Sequence, residues 1–192
     1  MGCRNNRISA LVESCNNSPI SLAGIQEIII GNFDDMQSLT SEQLVVVDGG
    51  ITTFDAAGKF SQFDLNIDAA TALHADATLT VNTNITQWNH SVTIPIAKMS
   101  KASLKFISDA ANARAVIGVK YIDRGEVRFM FFGMGTGLKA SEGSMSSQMT
   151  EQQFATIVFS SQEAMLEATP ALYLNMGTGD ENQALWETLI AE

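Results

Sequence analysis

Charged side chains are scarce in this sequence, and basic ones are the scarcer half. Asp, Glu, Lys and Arg make up 17% of the 192 residues, against about 25% in an average soluble domain. There are 11 basic residues against 21 acidic ones, and no basic residue follows Lys139. Affinity for nucleic acid depends on Lys and Arg beside the phosphates, so direct DNA binding is not expected. A surface rich in Ser, Thr, Asn and Gln instead favours broad polar contacts with other proteins.

Cysteine, histidine and long apolar runs are also lacking. The two cysteines, Cys3 and Cys15, follow no secretory leader, so reduced thiols and synthesis in the cytoplasm are expected. The two histidines, His74 and His90, have no clustered cysteine or carboxylate beside them, which favours a structural role over metal binding. No run approaches the roughly 20 apolar residues that cross a bilayer. The sequence therefore predicts neither a metal site nor a membrane span.

Motifs for catalysis or nucleotide binding are incomplete. The segment Gly133–Ser141 (GMGTGLKAS) imitates a phosphate-binding loop, but Leu138 separates glycine from lysine, and Ala140 stands where Ser or Thr is required. Asp34 and Asp35 lack the spaced ligands of a calcium loop, so turn or capping roles are expected. No acid–base pair can be nominated. We therefore predict that the protein is not an enzyme and has no catalytic, cofactor-binding or metal-binding residues.

The most informative part of the chain runs from Ala70 to Leu138. Thr71–Val81 and Ile85–Ile96 are rich in Thr, Val and Ile and alternate in polarity, which predicts two long strands. Ala115–Ile122 and Glu126–Phe132 predict a hairpin, because the three residues between them end in a glycine that tolerates positive φ.

Between these two pairs of strands the sequence predicts one amphipathic helix. Ser100 is the expected N-cap, and Leu104, Ile107 and Ala110 or Ala111 recur at helical spacing. Further predicted strands are Gly24–Ile30, Leu44–Val47, Ile51–Asp55, Lys59–Ile67 and Phe154–Ser160, and a short terminal helix is predicted over Gln183–Ala191.

Residues 1–23 are predicted to form an N-terminal arm and residues 24–192 a single β-rich domain. Met1–Ser18 and Gly133–Gln148 have little to bury, so both segments are expected to be mobile in a free subunit and ordered against a neighbour.

The order strand, strand, helix, hairpin, Gly/Ser-rich stretch and final strand resembles that of tail tube proteins of tailed phages. The leading arm with Cys3 and Cys15, followed by Gly24–Ile30, is similar to the start of such virion proteins. The resemblance covers roughly Cys3 to Pro170. It implies a mainly β fold with a flanking helix, a β-sandwich or small barrel, whose subunits close into hexameric rings and stack around a DNA conduit in the virion. Other virion rings, connectors and tail terminators share this fold, and a monomeric binding module is the remaining alternative.

For a conduit subunit, the distribution of acids and the strand edges become the features of interest. Eight acidic residues follow Lys139; they either solvate an outer face or line a surface that DNA passes without binding. Glu142 and Glu151 are the preferred candidates for the lining. Thr80 and Thr93 lie mid-strand, and Lys or Pro there is expected to impair association between subunits more than it impairs folding.

Overall fold

The computed structural model describes residues 24–63, 74–82, 85–96, 101–123, 126–145 and 155–190. Within these ranges the chain forms three helices and eleven strands. The helices are α1 (Phe33–Gln37), α2 (Lys101–Asn112) and α3 (Gly179–Leu189). The strands are β1 (Gly24–Asn32), β2 (Leu44–Val47), β3 (Gly50–Phe54), β4 (Phe60–Phe63), β5 (His74–Asn82), β6 (Ile85–Ile96), β7 (Arg114–Asp123), β8 (Glu126–Phe132), β9 (Leu138–Met145), β10 (Ala155–Ser160) and β11 (Leu172–Leu174). The predicted arm lies outside the described residues.

All of these strands belong to one mixed sheet, in the order β2-β3-β11-β8-β7-β9-β10-β6-β5. β1 lies beside β7 and also pairs with β4. On its other side, β7 pairs with β9 at its first two residues, Arg114 and Ala115, and with β8 from Ile117 to Asp123. β8 and β9 therefore follow one another along the same edge of β7, and the sheet divides at this point into two parts.

The two parts of the sheet pack face to face around a first core. Ile28, Ile117 and Val119 from β1 and β7 share this core with Val92 and Ile94 of β6 and with residues of β10. Helix α2 flanks the same core: the Phe106 ring lies 5.4 Å from that of Phe63 and 6.4 Å from that of Phe159. This arrangement is a β-sandwich with a flanking helix.

A second core covers the opposite face of β1, β7 and β8. Ile29, Val116 and Phe131 pack there with α1, β3, β4, β11 and α3, and Trp186 of α3 is fully buried among them. Consecutive residues of β1 thus enter different cores: Ile28 lies in the first core and Ile29 in the second. A strand buried on both faces needs a continuous apolar run, which explains the sequence Ile28-Ile29-Ile30.

The predicted class, mainly β with a flanking helix, is confirmed. Of the two predicted architectures, the sandwich agrees with the packing, whereas the sheet is open and does not close into a barrel. The strands predicted at Ile85–Ile96, Leu44–Val47 and Glu126–Phe132 have the predicted bounds. The other predicted strands are present with shifted ends, and parts of three of them lie outside the described ranges.

The expectation that Gly133–Gln148 has little to bury is wrong for residues 133–145, because Met134 and Leu138 are buried and Leu138–Met145 forms β9. A tight turn closed by a 3.0 Å hydrogen bond from Gly137 N–H to the Gly133 carbonyl leads directly into β9. The sequence of β9, LKASEGSM, has little intrinsic preference for strand. Its pairing with β10 over six registered positions supplies what local propensity does not.

Smaller corrections concern the buried face of α2 and the ends of helices and strands. On α2, Leu104 is 45% exposed, and Phe106 takes the place beside Ile107 against the first core that was predicted for Leu104. The predicted cap Ser100 lies outside the described residues. Asp123 belongs to β7 and pairs with Glu126, so the predicted three-residue hairpin connection is one residue too long. Asp34 and Asp35, for which turn or capping roles were predicted, lie in the first turn of α1.

Candidate assembly edges and a buried polar junction

The sheet ends in β2 on one side and β5 on the other. β5 pairs only with β6 among the described residues, from His74 opposite Thr93 to Asn82 opposite Ile85. An outer strand presents a row of unpaired N–H and C=O groups, which monomeric proteins usually shield. At nine residues β5 is more than twice as long as β2, which has four. The β5 edge is therefore the first candidate for pairing with another subunit.

The β5–β6 hairpin also reaches beyond β10. The β10 ladder covers β6 only from Ser91 to Ile96, so residues 85–89 of β6 and their partners on β5 have no third strand from β10. Within the described ranges, one bridge, between Trp88 and Glu167, supports this outer half. Two-stranded ribbons are marginally stable in water by themselves. A neighbouring subunit that paired with β5 would stabilise this part of the hairpin.

Of the two threonines predicted as test positions, only Thr80 lies on an outer strand. Thr93 lies in β6 between His74 of β5 and Val158 of β10 and is 7% exposed. Lys or Pro at Thr93 would disturb the fold of the subunit, contrary to the expectation for that position. Thr78 on β5 is exposed to solvent and is the better position for a test of association.

The two preferred acidic residues have different outcomes. Glu142 is exposed on β9 opposite Val158, whose chain neighbours Ile157 and Phe159 enter the first core. Glu142 is therefore on the outer face of the β9-β10-β6-β5 part of the sheet. Glu151 lies outside the described residues.

The remaining acids of the C-terminal part do not share one surface. Asp180, Glu181 and Glu187 are exposed on α3, which packs on the second core. Glu163 is exposed in the connection between β10 and β11, whereas Glu167 in the same connection is only 1% exposed. Glu167 neither solvates an outer face nor lines a conduit, and its role is a different one.

Glu167 fastens the β8–β9 turn to the β10–β11 connection. Its Oε2 accepts a hydrogen bond of 2.9 Å from the Gly135 N–H, and its Oε1 accepts bonds from the Thr136 N–H at 3.0 Å and the Thr136 hydroxyl at 2.9 Å. The backbone of Glu167 exchanges two further bonds with Trp88 of β6. The turn that resembled a phosphate loop thus already binds an anion, the carboxylate of Glu167. Nothing in the local sequence around Glu167 indicates this role.

His90 lies beside this junction and is 2% exposed. Its Nδ1 accepts a 3.2 Å hydrogen bond from the Gly133 N–H, so the proton of the neutral ring is on Nε2, which has no partner among the described residues. Burial lowers the pKa of His90 below its ordinary value of 6.5, although the charge of Glu167 and the backbone of Thr169 favour the protonated form. The ring packs edge-on against Phe132 at 5.5 Å. The structural role predicted for this histidine agrees with its surroundings.

The lowered pKa of His90 predicts a loss of stability on mild acidification. Because the folded state disfavours the protonated ring, the unfolded chain binds more protons than the folded chain once the pH falls below about 6.5. The stabilisation is complete above that pH and declines below it. We expect the melting temperature to fall between pH 7.5 and pH 5.5, and the fall to be smaller in His90→Gln. Identical pH profiles for the two proteins would contradict this assignment.

The acidic and histidine residues considered above as ligands lie apart in the described part of the chain. No group of three His, Cys, Asp or Glu residues there could hold a metal ion. Asp34 and Asp35 lie in the first turn of α1; Asp34 pairs with Arg114 at 3.6 Å, and an Asp35 oxygen accepts a bond from Asn32. The side chain of His74 lies outside the described part. None of the described helices is long and apolar enough to cross a bilayer.

Comparison with protein-family models, with curated proteins and with solved structures finds no match to this chain.

Proposed function

We propose that the chain is a structural subunit of a phage virion, a tail tube protein that self-assembles into stacked hexameric rings around a DNA conduit. The observation that carries the proposal is the long outer strand β5, whose hairpin extends past the strand that supports it. The similarity in element order to tail tube proteins supplies the class. In this proposal the partners are further copies of the chain and other tail proteins, and no cofactor or catalytic step is required.

A ring needs two different surfaces on each subunit, because each subunit contacts the next one head to tail: one patch of a subunit meets a different patch of its neighbour. The open sheet offers two such ends. β5 lies at one end, and β2 lies at the other with Val46 42% and Val47 50% exposed. Joining β5 of one subunit to β2 of the next would continue the sheet around the ring and cover these apolar side chains.

Charge at either edge should therefore prevent association without unfolding the subunit. We expect Thr78→Lys on β5 and Val46→Lys on β2 each to reduce oligomerisation at least tenfold, because an edge lysine disfavours strand pairing between chains. Thr40→Lys, an exposed position before β2, is the matched control. Light scattering would report association and circular dichroism the fold. Normal oligomers in both edge variants would contradict pairing through these strands.

The conduit part of the proposal makes a prediction for Glu142. If the outer face of the β9-β10-β6-β5 part lines the lumen, a ring would repeat any charge placed there in every subunit, and repeated cations would bind phosphates. We expect Glu142→Lys to assemble and to bind DNA in low salt, with affinity falling steeply as salt rises. Glu187→Lys, the same charge change on α3, should not. Equal DNA binding by both variants would place Glu142 outside the lumen.

A second role in the same virion class, a ring connector or tail terminator, differs in assembly rather than in subunit fold. Isolated rings that stack only when another tail protein is added would favour this role. A monomer that persists at high concentration would favour a monomeric binding module.

A further inference from the structure

The polar junction, formed by Glu167, His90 and the turn at residues 133–137, also supports the outer half of the β5–β6 hairpin. The backbone of Glu167 exchanges hydrogen bonds of 2.8 and 2.9 Å with Trp88 of β6. Ser161 adds a second pair, because its N–H donates to the His90 carbonyl at 2.9 Å and its hydroxyl accepts from the His90 N–H at 3.1 Å. These four bonds attach the part of β6 that the β10 ladder does not reach to the connection that follows β10.

His90 makes one contact in this junction that requires an unprotonated ring nitrogen. Its Nδ1 accepts a 3.2 Å hydrogen bond from the Gly133 N–H. A protonated imidazole has a proton on both nitrogens and accepts no hydrogen bond. Protonation would therefore set two donors against each other at a site where His90 is 2% exposed, and unpaired polar groups in such surroundings are costly. Either the ring or the turn would have to move.

The carboxylate of Glu167 would attract a protonated His90 ring. Burial lowers the pKa of His90, and the negative charge of Glu167 opposes this shift by favouring the protonated ring. Both oxygens of Glu167 already accept bonds from the turn, at Gly135 and Thr136. A new bond to the imidazolium would compete with these. Protonation thus weakens both attachments of the turn, the one at Gly133 and the one at Glu167.

Within the described residues, the other charges at the junction belong to Arg114 and Asp34. Arg114 donates a 3.2 Å bond to the Thr136 carbonyl and lies 3.6 Å from Asp34. β5 places Ala77 opposite His90, and β8 contributes a phenylalanine ring. Histidine is the side chain whose ordinary pKa places its change of charge in the mildly acidic range. His90 is therefore the group of the junction that responds to mild acid.

We propose that the junction is a pH-sensitive switch, in which protonation of His90 opens the junction and releases the outer half of the β5–β6 hairpin. The released part consists of residues 85–89 and their partners on β5, a two-stranded ribbon that is marginally stable by itself. The switch is a property of the single subunit. Its effect on assembly, a weaker β5 edge in mild acid, rests on the proposed function.

Hydrogen exchange at pH 7.5 and pH 5.5 tests the switch in the dilute wild-type chain, kept monomeric as judged by light scattering. The protection of each amide is calculated against its intrinsic exchange rate at that pH. The amides of Trp88 and Glu167 should lose protection by about tenfold or more at pH 5.5, because their mutual bonds open locally. The amide of Ile29, on a strand paired on both sides, should lose much less.

Two variants test whether His90 causes the change. His90→Gln retains a side-chain oxygen that can accept a bond and has no group that titrates, so its junction should be equally protected at both pH values. His74→Gln, the same change at the other histidine of the sequence, is the matched control and should retain the wild-type loss. If His90→Gln does not fold, the titration of the His90 ring in the wild type, followed by NMR, replaces it. Its midpoint should coincide with the loss of protection at Trp88.

Three results would overturn the switch: unchanged protection of Trp88 and Glu167 at pH 5.5, an equal loss at Ile29, or a His90 midpoint that differs from that of the junction. Light scattering tests the effect on assembly separately. Wild-type oligomers should dissociate at pH 5.5, and His90→Gln oligomers should persist. Equal pH sensitivity of both would refute control of assembly by His90. A wild type that is monomeric at both pH values would contradict the proposed function, while the exchange result would still decide whether the switch exists.

Discussion

Trp186→Ala is expected to lower the free energy of unfolding by about 4 kcal/mol, the range for a fully buried tryptophan being about 3–5 kcal/mol. Trp186 is 0% exposed, and its ring lies 5.0 Å from Phe129 and 5.8 Å from Phe131. With Leu189 it attaches α3 to the central strands. Alanine would leave a cavity between the helix and the sheet.

The indole also joins a polar contact at the edge of this core. Its Nε1–H donates a 3.1 Å hydrogen bond to Glu27 Oε1, and Glu27 Oε2 lies 3.5 Å from Lys120 Nζ. Trp186→Phe should therefore lower the free energy of unfolding by less than Trp186→Ala, because phenylalanine retains most of the ring volume. It should still be destabilising, because phenylalanine has no donor for Glu27. Gly118 makes the close approach possible: a Cβ there would lie 3.0 Å from Trp186 Cη2 and 2.7 Å from Ile29 Cγ1.

Urea unfolding followed by far-ultraviolet circular dichroism would measure these differences without relying on tryptophan fluorescence. Tyr173→Ala, which removes an aromatic ring that is 41% exposed, is the control and should cost about 1 kcal/mol. A Trp186→Ala protein as stable as this control would mean that α3 contributes little to the second core.

Glu167→Ala is expected to destabilise the protein by about 2 kcal/mol. The change removes the acceptor of three hydrogen bonds from Gly135 and Thr136, and bonds to a charged group are worth about 1.5–3 kcal/mol. Because the donors lie on a partly exposed turn, water can replace some of the lost bonds, which keeps the cost below their sum. The turn should exchange its amide protons faster than in the wild type.

Glu163→Ala in the same connection is the matched control for this change. Glu163 is exposed, so its replacement should alter stability by no more than about 0.5 kcal/mol. If Glu163→Ala and Glu167→Ala were equally stable, the carboxylate of Glu167 would not hold the turn in solution.

The sequence predicted the strands that have a strong local pattern. β6 and the β7–β8 hairpin combine β-branched residues with alternation or with a turn glycine, so local chemistry and tertiary structure agree there. The start of α3 has a sequence signal that the prediction did not use: Thr178 and Glu181 form a capping box, in which the Glu181 N–H bonds to Thr178 Oγ1 at 3.3 Å. The predicted helix began four residues later, at Gln183.

Features that depend on residues distant in sequence were not predictable in this way. β9 is a strand because β10 pairs with it, and its own composition predicts a connection. Glu167 meets a turn 31 residues earlier in the chain, and one glutamate among eight C-terminal acids carries no local mark of burial. The buried face of α2 was predicted correctly at Ile107 and wrongly at Leu104. Leu104 and Phe106 are both apolar, and which of them is buried depends on the side of the helix that packs on the first core.

Electron microscopy of the purified chain across a concentration series tests the central proposal most directly. Stacked sixfold rings with a central channel are expected at high concentration from the wild type and from Thr40→Lys, and not from Thr78→Lys or Val46→Lys. A wild-type chain that stays monomeric at the highest soluble concentration, with its fold intact by circular dichroism, would contradict the proposal that this protein is a self-assembling tube subunit.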